Sequence, residues 1–195
     1  MPETDRTTVI PSAAYTLKPA HIRTWNHLID HPPRVGDVVY GQVARVGHHA
    51  ELENQNGRIH RLGVGSRAVF VFGNRYATDA FEATIPEAAS HTVDLVARSG
   101  VVAKVRENNS RIRNPTRIRL LGSIVDGEGR ALNTGHYPIV AWDPVGDGAA
   151  GRSRLILVIG TSMNAGKSTT AAAITAALTC MATPSTPERS PAPRR

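Results

Sequence analysis

Residues 160–169 combine glycines, hydroxyls and one lysine in a spacing suited to holding phosphate. The order is Gly160, Thr161, Ser162, Met163, Asn164, Ala165, Gly166, Lys167, Ser168 and Thr169. An apolar run, Leu-Ile-Leu-Val-Ile at 155–159, precedes it. Such a run fits a strand buried on both faces of a parallel sheet. An alanine-rich stretch at 171–178 follows and has high helix propensity. A turn that opens a helix presents backbone N–H groups with no internal partner, and the helix dipole adds positive potential there. Gly166 lets the backbone approach an anion closely. Lys167 is placed to reach β- and γ-phosphate oxygens, and the Ser168 hydroxyl to enter the coordination shell of Mg²⁺. Thr169 or Thr170 contacts the α-phosphate or caps the helix. The expected chemistry is binding of ATP with Mg²⁺, with Ser168 as the metal ligand.

The usual phosphate loop reads Gly, four residues, Gly-Lys-Ser/Thr. Here five residues separate Gly160 from Gly166, and Thr161 takes the first motif position. In this form the loop resembles the Gly-Thr-x-x-x-x-Gly-Lys-Thr/Ser loop of dethiobiotin synthetase-like P-loop proteins, in the wider group that includes the MinD-type ATPases. The second lysine of the MinD-type loop would fall at Ser162, so that feature is absent. The resemblance covers about 30 of the 195 residues. It implies a nucleotide-binding, NTPase-like protein, a fragment of an ATP-dependent enzyme. Members of that group carry most of their domain after the loop, so the chain reads as truncated after its Walker A motif.

A phosphate loop needs a sheet behind it and an acidic residue on a second strand to hold Mg²⁺ through water. After Thr170 the only acidic residue is Glu188, in a tail at 183–195 rich in proline. One strand and one helix cannot make a parallel sheet. A protein partner or an oligomer could complete it. Upstream, the run at 120–125 ends in Asp126, the shape of a metal-binding strand, but Asp126-Gly127-Glu128-Gly129 reads as a hairpin turn. Whether the chain is an enzyme stays open. The alternative is a non-enzymatic β-barrel binding module with a vestigial loop.

The elements before the loop read as follows. Residues 1–33 form an N-terminal arm carrying five prolines, with a short helix over about 19–28. Residues 34–142 read as a small β-barrel or sandwich. Its strands are expected at 37–46, 49–53, 58–62, 67–72, 99–106 and 116–125, with weaker ones at 130–132 and 138–141. Asn56-Gly57 signals a hairpin. One helical turn is expected at 87–91. A linker at 143–153 leads to a partial P-loop βα unit at 154–182. The fold class expected is therefore mixed α and β: a small β domain, then a truncated P-loop α/β unit. The polar loop at 73–79 is either a binding site or a local ion pair between Arg75 and Asp79.

Net charge is +7, yet lysine occurs only at 18, 104 and 167. This arginine bias, beside abundant alanine, reads as codon composition. Arg111, Arg113, Arg117 and Arg119 form one denser run, either a solvated strand face or an anion patch. No aromatic residues interleave it to stack bases, which argues against nucleic acid as a partner. His48 and His49 are adjacent and would point to opposite faces of a strand, where they could not chelate together. His60 could face either across the hairpin. No cysteine lies nearby, and no zinc site is expected. No apolar stretch approaches the length of a membrane span, and the polar N-terminus lacks a signal-peptide shape. The single cysteine, Cys180, excludes an internal disulfide and reads as a small apolar filler. A cytoplasmic location is expected.

Limited proteolysis is expected to trim residues after about Thr183 and leave the β domain folded. A tail that resists protease would contradict that boundary.

Overall fold

A computed structural model describes residues 2–4, 8–27, 32–77, 79–139, 155–161, 163 and 165–182. The expected linker at 143–153, the tail at 183–195, Ser162 and Asn164 lie outside the described residues. The chain divides into two compact units, Met1–Asp147 and Gly148–Arg195.

The first unit is built on ten strands. They are β1 (Thr24–Asn26), β2 (Val38–Arg45), β3 (Glu51–Glu53), β4 (Ile59–Arg61), β5 (Arg67–Phe72), β6 (Arg75–Tyr76), β7 (Phe81–Thr84), β8 (Thr92–Leu95), β9 (Val101–Asn108) and β10 (Thr116–Val125). The ladders run in a closed circuit. β10 pairs β2, β2 pairs β5 and β8 pairs both β9 and β10, all antiparallel; β5 pairs β9 in parallel. A closed circuit leaves its strands no free edge. β1 adds to β10, β7 adds to β9, β6 adds to β7, and β3–β4 form a separate hairpin.

Strand alternation sorts the core into two layers. Val39, Val43, Phe70, Phe72, Leu95, Val102, Ile118 and Leu120 pack together, joined by Leu52 and Leu62 of the hairpin region. The opposite faces of β2 and β5 present Val38, Tyr40, Val69 and Val71. These are covered by Ala14, Leu17 and Ile22 of the N-terminal arm, each buried. The arm is pinned by Gln55, whose Nε2 donates to the carbonyls of Ala14 at 2.8 Å and Leu17 at 2.6 Å. So β2 and β5 are apolar on both faces because both faces are covered.

The expected mixed architecture is corrected. The chain is mostly β, with one mixed sheet and a single α-helix among the described residues, and no P-loop α/β unit forms. Residues 155–161 adopt no strand. Leu155, Ile156, Leu157 and Ile159 are exposed, Leu155 by 89%. An apolar run becomes a parallel strand only where neighbouring strands take its hydrogen bonds, and no described residue does so here. The helix α1 (Lys167–Ala182) does form, as its alanine content dictates. It is exposed along nearly its whole length, and Cys180 is exposed rather than a filler.

Smaller expectations also shift. The helix over 19–28 is a single 3-10 turn, Pro19–His21. Thr24 and Trp25 instead pair with Val125 and Ile124, because β-branched and aromatic residues are better used on a sheet than in a short helix. No helical turn forms at 87–91. Ala131 makes one bridge to Val125, and residues 138–139 form no strand. Asp126 caps its own turn, accepting from the amides of Glu128 and Arg130 at 2.9 Å each.

The arginine run is divided by the fold. Arg117 Nε lies 2.9 Å from Oδ1 of buried Asp94, its register partner on β8, in an ion pair whose hydrogen-bond angle is poor. Arg119 bonds Gln42 on β2, while Arg111 and Arg113 lie on the β9–β10 loop. Asp94 also accepts from the Val105 amide at 3.2 Å. Arg117→Ala would leave that buried carboxylate without its cation. It should lower stability by about 1–3 kcal/mol, measured by urea unfolding, the cost of an under-satisfied buried group. An unchanged midpoint would show that the pair contributes nothing.

Candidate functional site

The loop predicted to hold phosphate lies in the second unit. Thr170 N–H donates to the Gly166 carbonyl at 2.9 Å, an i−4 bond at the start of the helix. The amides of Ser168 and Thr169 precede it and belong to the first turn, where helical partners run out. Gly166 enters that turn with φ of +81°, a left-handed conformation that glycine adopts without strain. The chain doubles back so that Gly160 meets Lys167; a methyl group on Gly160 would lie 3.0 Å from Lys167 Cγ and 3.2 Å from Ala165 Cβ. A cavity of about 480 Å³ is lined by Met163, Gly166, Lys167, Ser168 and Thr169. Five of the ten predicted residues are thus brought together. Gly160, Thr161 and Ala165 are exposed and do not line it, and Ser162 and Asn164 are outside the described residues. The first turn carries no acidic side chain to compete for an anion.

A second concavity, about 830 Å³, lies in the β unit and was not anticipated as a site. Five segments build it. The bend after β2 brings His48 and His49; β3 and the end of β4 bring Glu51, Glu53 and Arg61; β6 brings Arg75. The β8–β9 turn adds Arg98, and the β9–β10 loop adds Arg113. The bend is fixed from below by Thr116, which is fully buried. Its hydroxyl accepts from the Gly47 amide at 2.8 Å and donates to the His49 carbonyl at 2.6 Å. His48 N–H donates to the Asn114 carbonyl at 2.9 Å. Gly47 is required by close approach: an added methyl group would sit 2.1 Å from the Asn114 carbonyl oxygen.

This bend corrects the strand reading of the two histidines. Because β2 ends at Arg45, they do not alternate across a strand; their rings lie 4.9 Å apart, and each is 5.7 Å from Phe81. His60 does not join them. It stands opposite Leu52 in the hairpin and contacts Asn54 at 3.2 Å. No cluster of three metal-ligating side chains occurs among the described residues.

Charge in the concavity is predominantly positive. Glu53 is held by Arg98 at 3.5 Å, leaving Arg61, Arg75 and Arg113 to face Glu51. Arg75 Nε and His49 Nε2 are buried without a hydrogen-bond partner. Burial lowers the Arg75 pKa. The His49 imidazole is lowered from 6.5 to about 4, first by burial and then by His48, Arg75 and Arg98, against a hydrogen bond to the Val96 backbone. Sequence reasoning missed the site because its parts are scattered over 66 positions, from His48 to Arg113. Only the Arg75 loop had signalled it.

Comparison with family models, with curated proteins and with solved structures returned no significant match. No helix among the described residues is long and apolar enough to cross a membrane.

The depressed histidine has a consequence for stability. Unfolded chains take up the His49 proton near pH 6.5, while the folded chain resists until about pH 4. The unfolded state therefore binds more protons in that window. Stability should be undiminished above pH 6.5 and fall as pH drops toward 4. His49→Gln should lose that increment of the slope, read as urea midpoints of both proteins between pH 7 and 4.5. A constant difference between them would show that His49 titrates normally.

Proposed function

We propose that residues 160–169 bind the polyphosphate of a nucleoside triphosphate, ATP in the first instance, together with Mg²⁺. The observation that carries this is the left-handed Gly166 leading straight into the first turn of α1, with Lys167 and Ser168 on the wall of one cavity. First-turn amides and the helix dipole favour an anion at that end. Lys167 supplies the compact charge for the terminal phosphates, and the Ser168 hydroxyl an oxygen ligand for the metal. Thr169 contributes a second hydroxyl at the same wall. The donor set suits Mg²⁺ that arrives with its phosphates. The loop offers a hydroxyl and no carboxylate, and this cation is commonly held through substrate phosphates and retained waters.

The support lies in loop and helix, not in a surrounding sheet. Phosphate recognition by backbone amides is local and needs only the turn and the helix start. Turnover needs further groups that orient a nucleophile. The function proposed is accordingly binding.

Titrating Mg·ATP into the full chain should shift the backbone amide resonances of residues 166–169 in a saturable way. Lys167→Ala removes a charged contact and should weaken binding tenfold or more, the equivalent of about 1.4 kcal/mol. No shift at millimolar Mg·ATP, or an affinity unchanged in Lys167→Ala, would overturn the proposal and leave residues 160–169 a loop without a ligand.

A further inference from the structure

We propose that the basic concavity of the β unit, walled by His49, Arg75, Arg98 and Arg113, is a binding site for a phosphorylated small molecule. It does not depend on the loop at 160–169.

The first ground is an imbalance inside the folded unit. Buried polar groups nearly always have partners, and exceptions ask for an explanation. Two exceptions meet here, Arg75 Nε and His49 Nε2. Both belong to residues that line the same cavity. A phosphate group seated between them, with one P–OH and bare oxygens, would satisfy both.

Charge and size point the same way. Four guanidiniums face two carboxylates around the cavity, and Arg98 already engages Glu53. The remaining positive charge suits an anion. Guanidinium forks match phosphate and carboxylate oxygens in paired contacts. A volume of about 830 Å³ falls in the range of small-molecule sites. The walls come from separate segments tied to the strand circuit, and the Thr116 hydroxyl fixes the histidine bend. That is a preformed pocket rather than a chance gathering of side chains on one flexible loop.

His49 selects phosphate over other anions. Its Nε2 is buried without a partner, and the lowered pKa keeps the ring neutral at neutral pH, so Nε2 needs either an acceptor or a donor according to tautomer. A carboxylate or sulfate offers it only lone pairs. A phosphate group near its second pKa carries both a P–OH and bare oxygens, so it can satisfy Nε2 in either tautomer while its other oxygens accept from Arg75 and Arg113. The proton stays shared between ligand and ring, and no bond is made or broken.

The test uses the full chain near pH 6.5 with inorganic phosphate, phenyl phosphate and sulfate as probes. Binding is followed by calorimetry and by the ring resonances of His49. Saturable binding of phosphate and phenyl phosphate is expected, at least tenfold tighter than sulfate, with the His49 pKa rising on saturation. Arg75→Gln should weaken binding tenfold or more. Arg113→Gln, at an exposed position that folding does not require, should weaken it severalfold and covers the case in which Arg75→Gln fails to fold. Lys167→Ala should leave phenyl phosphate binding here unchanged, which separates this site from the loop at 160–169. No saturation at tens of millimolar phosphate, or binding indifferent to Arg113→Gln, would overturn the proposal. Equal affinity for sulfate would overturn the role given to the shared proton and with it the choice of phosphate.

Discussion

Strand β10 is the constraint on which the β unit depends. Ten residues long, it carries ladders to β1, β2 and β8, and so joins the two ends of the strand circuit. One strand can serve these neighbours because its register against β2 slips between Arg117 and Ile118, and again between Leu120 and Gly122. Such bulges bend a strand and tighten its twist, which a sheet needs in order to close on itself. Gly122 shows how tightly this is drawn: an added methyl group would lie 2.0 Å from the Asn26 carbonyl oxygen of β1. Closure in turn brings the β8–β9 turn, the bend after β2 and the β9–β10 loop to one place. The basic cavity exists because those three connections converge.

The same strand sets the cavity's rigidity. Thr116 opens β10 and is itself fully buried, and its hydroxyl is the bolt for the Gly47–His49 bend. Two neighbours along β10 from Thr116 to Arg117 therefore do different work: one fixes a loop, the next holds Asp94 inside the circuit. Buried polar contacts of this kind specify one arrangement, because every alternative leaves a group unpaired. The apolar layers supply most of the burial, and these few polar contacts decide how the loops are presented.

Much of this was legible in the residues. β5 and β10 have the spans that their β-branched and aromatic alternation predicts, and Gly57 at φ +76° turns the expected hairpin. What escaped were elements whose cause is not local. β1, β6, β7 and β8 are two to four residues long and exist only because a longer strand offers them hydrogen bonds. Thr-Val-Asp-Leu does not read as a buried strand, since its aspartate is tolerable only with Arg117 opposite. The histidine pair was misplaced because adjacency was read as strand alternation, where a bend held by Thr116 stands instead. The opposite error occurred at 155–159. There the apolar run satisfied a strand template by composition, but a strand is a relation between segments, and no described residue completes it.

The two anion sites proposed here thus rest on opposite kinds of order. Around Gly166 the order is local: left-handed glycine, a helix start and a lysine suffice to aim amides at one point. The helix that follows is exposed along nearly all of its described length, so part of the binding energy goes into ordering the loop. Around Arg75 the order is tertiary, and the donors are in place before any ligand arrives. Its cost has already been met in folding, as two buried polar atoms without partners. A site of the first kind can survive large changes elsewhere in a chain, because it asks little of them. A site of the second kind is lost with any change that reopens the circuit at β10, however far from the arginines it falls.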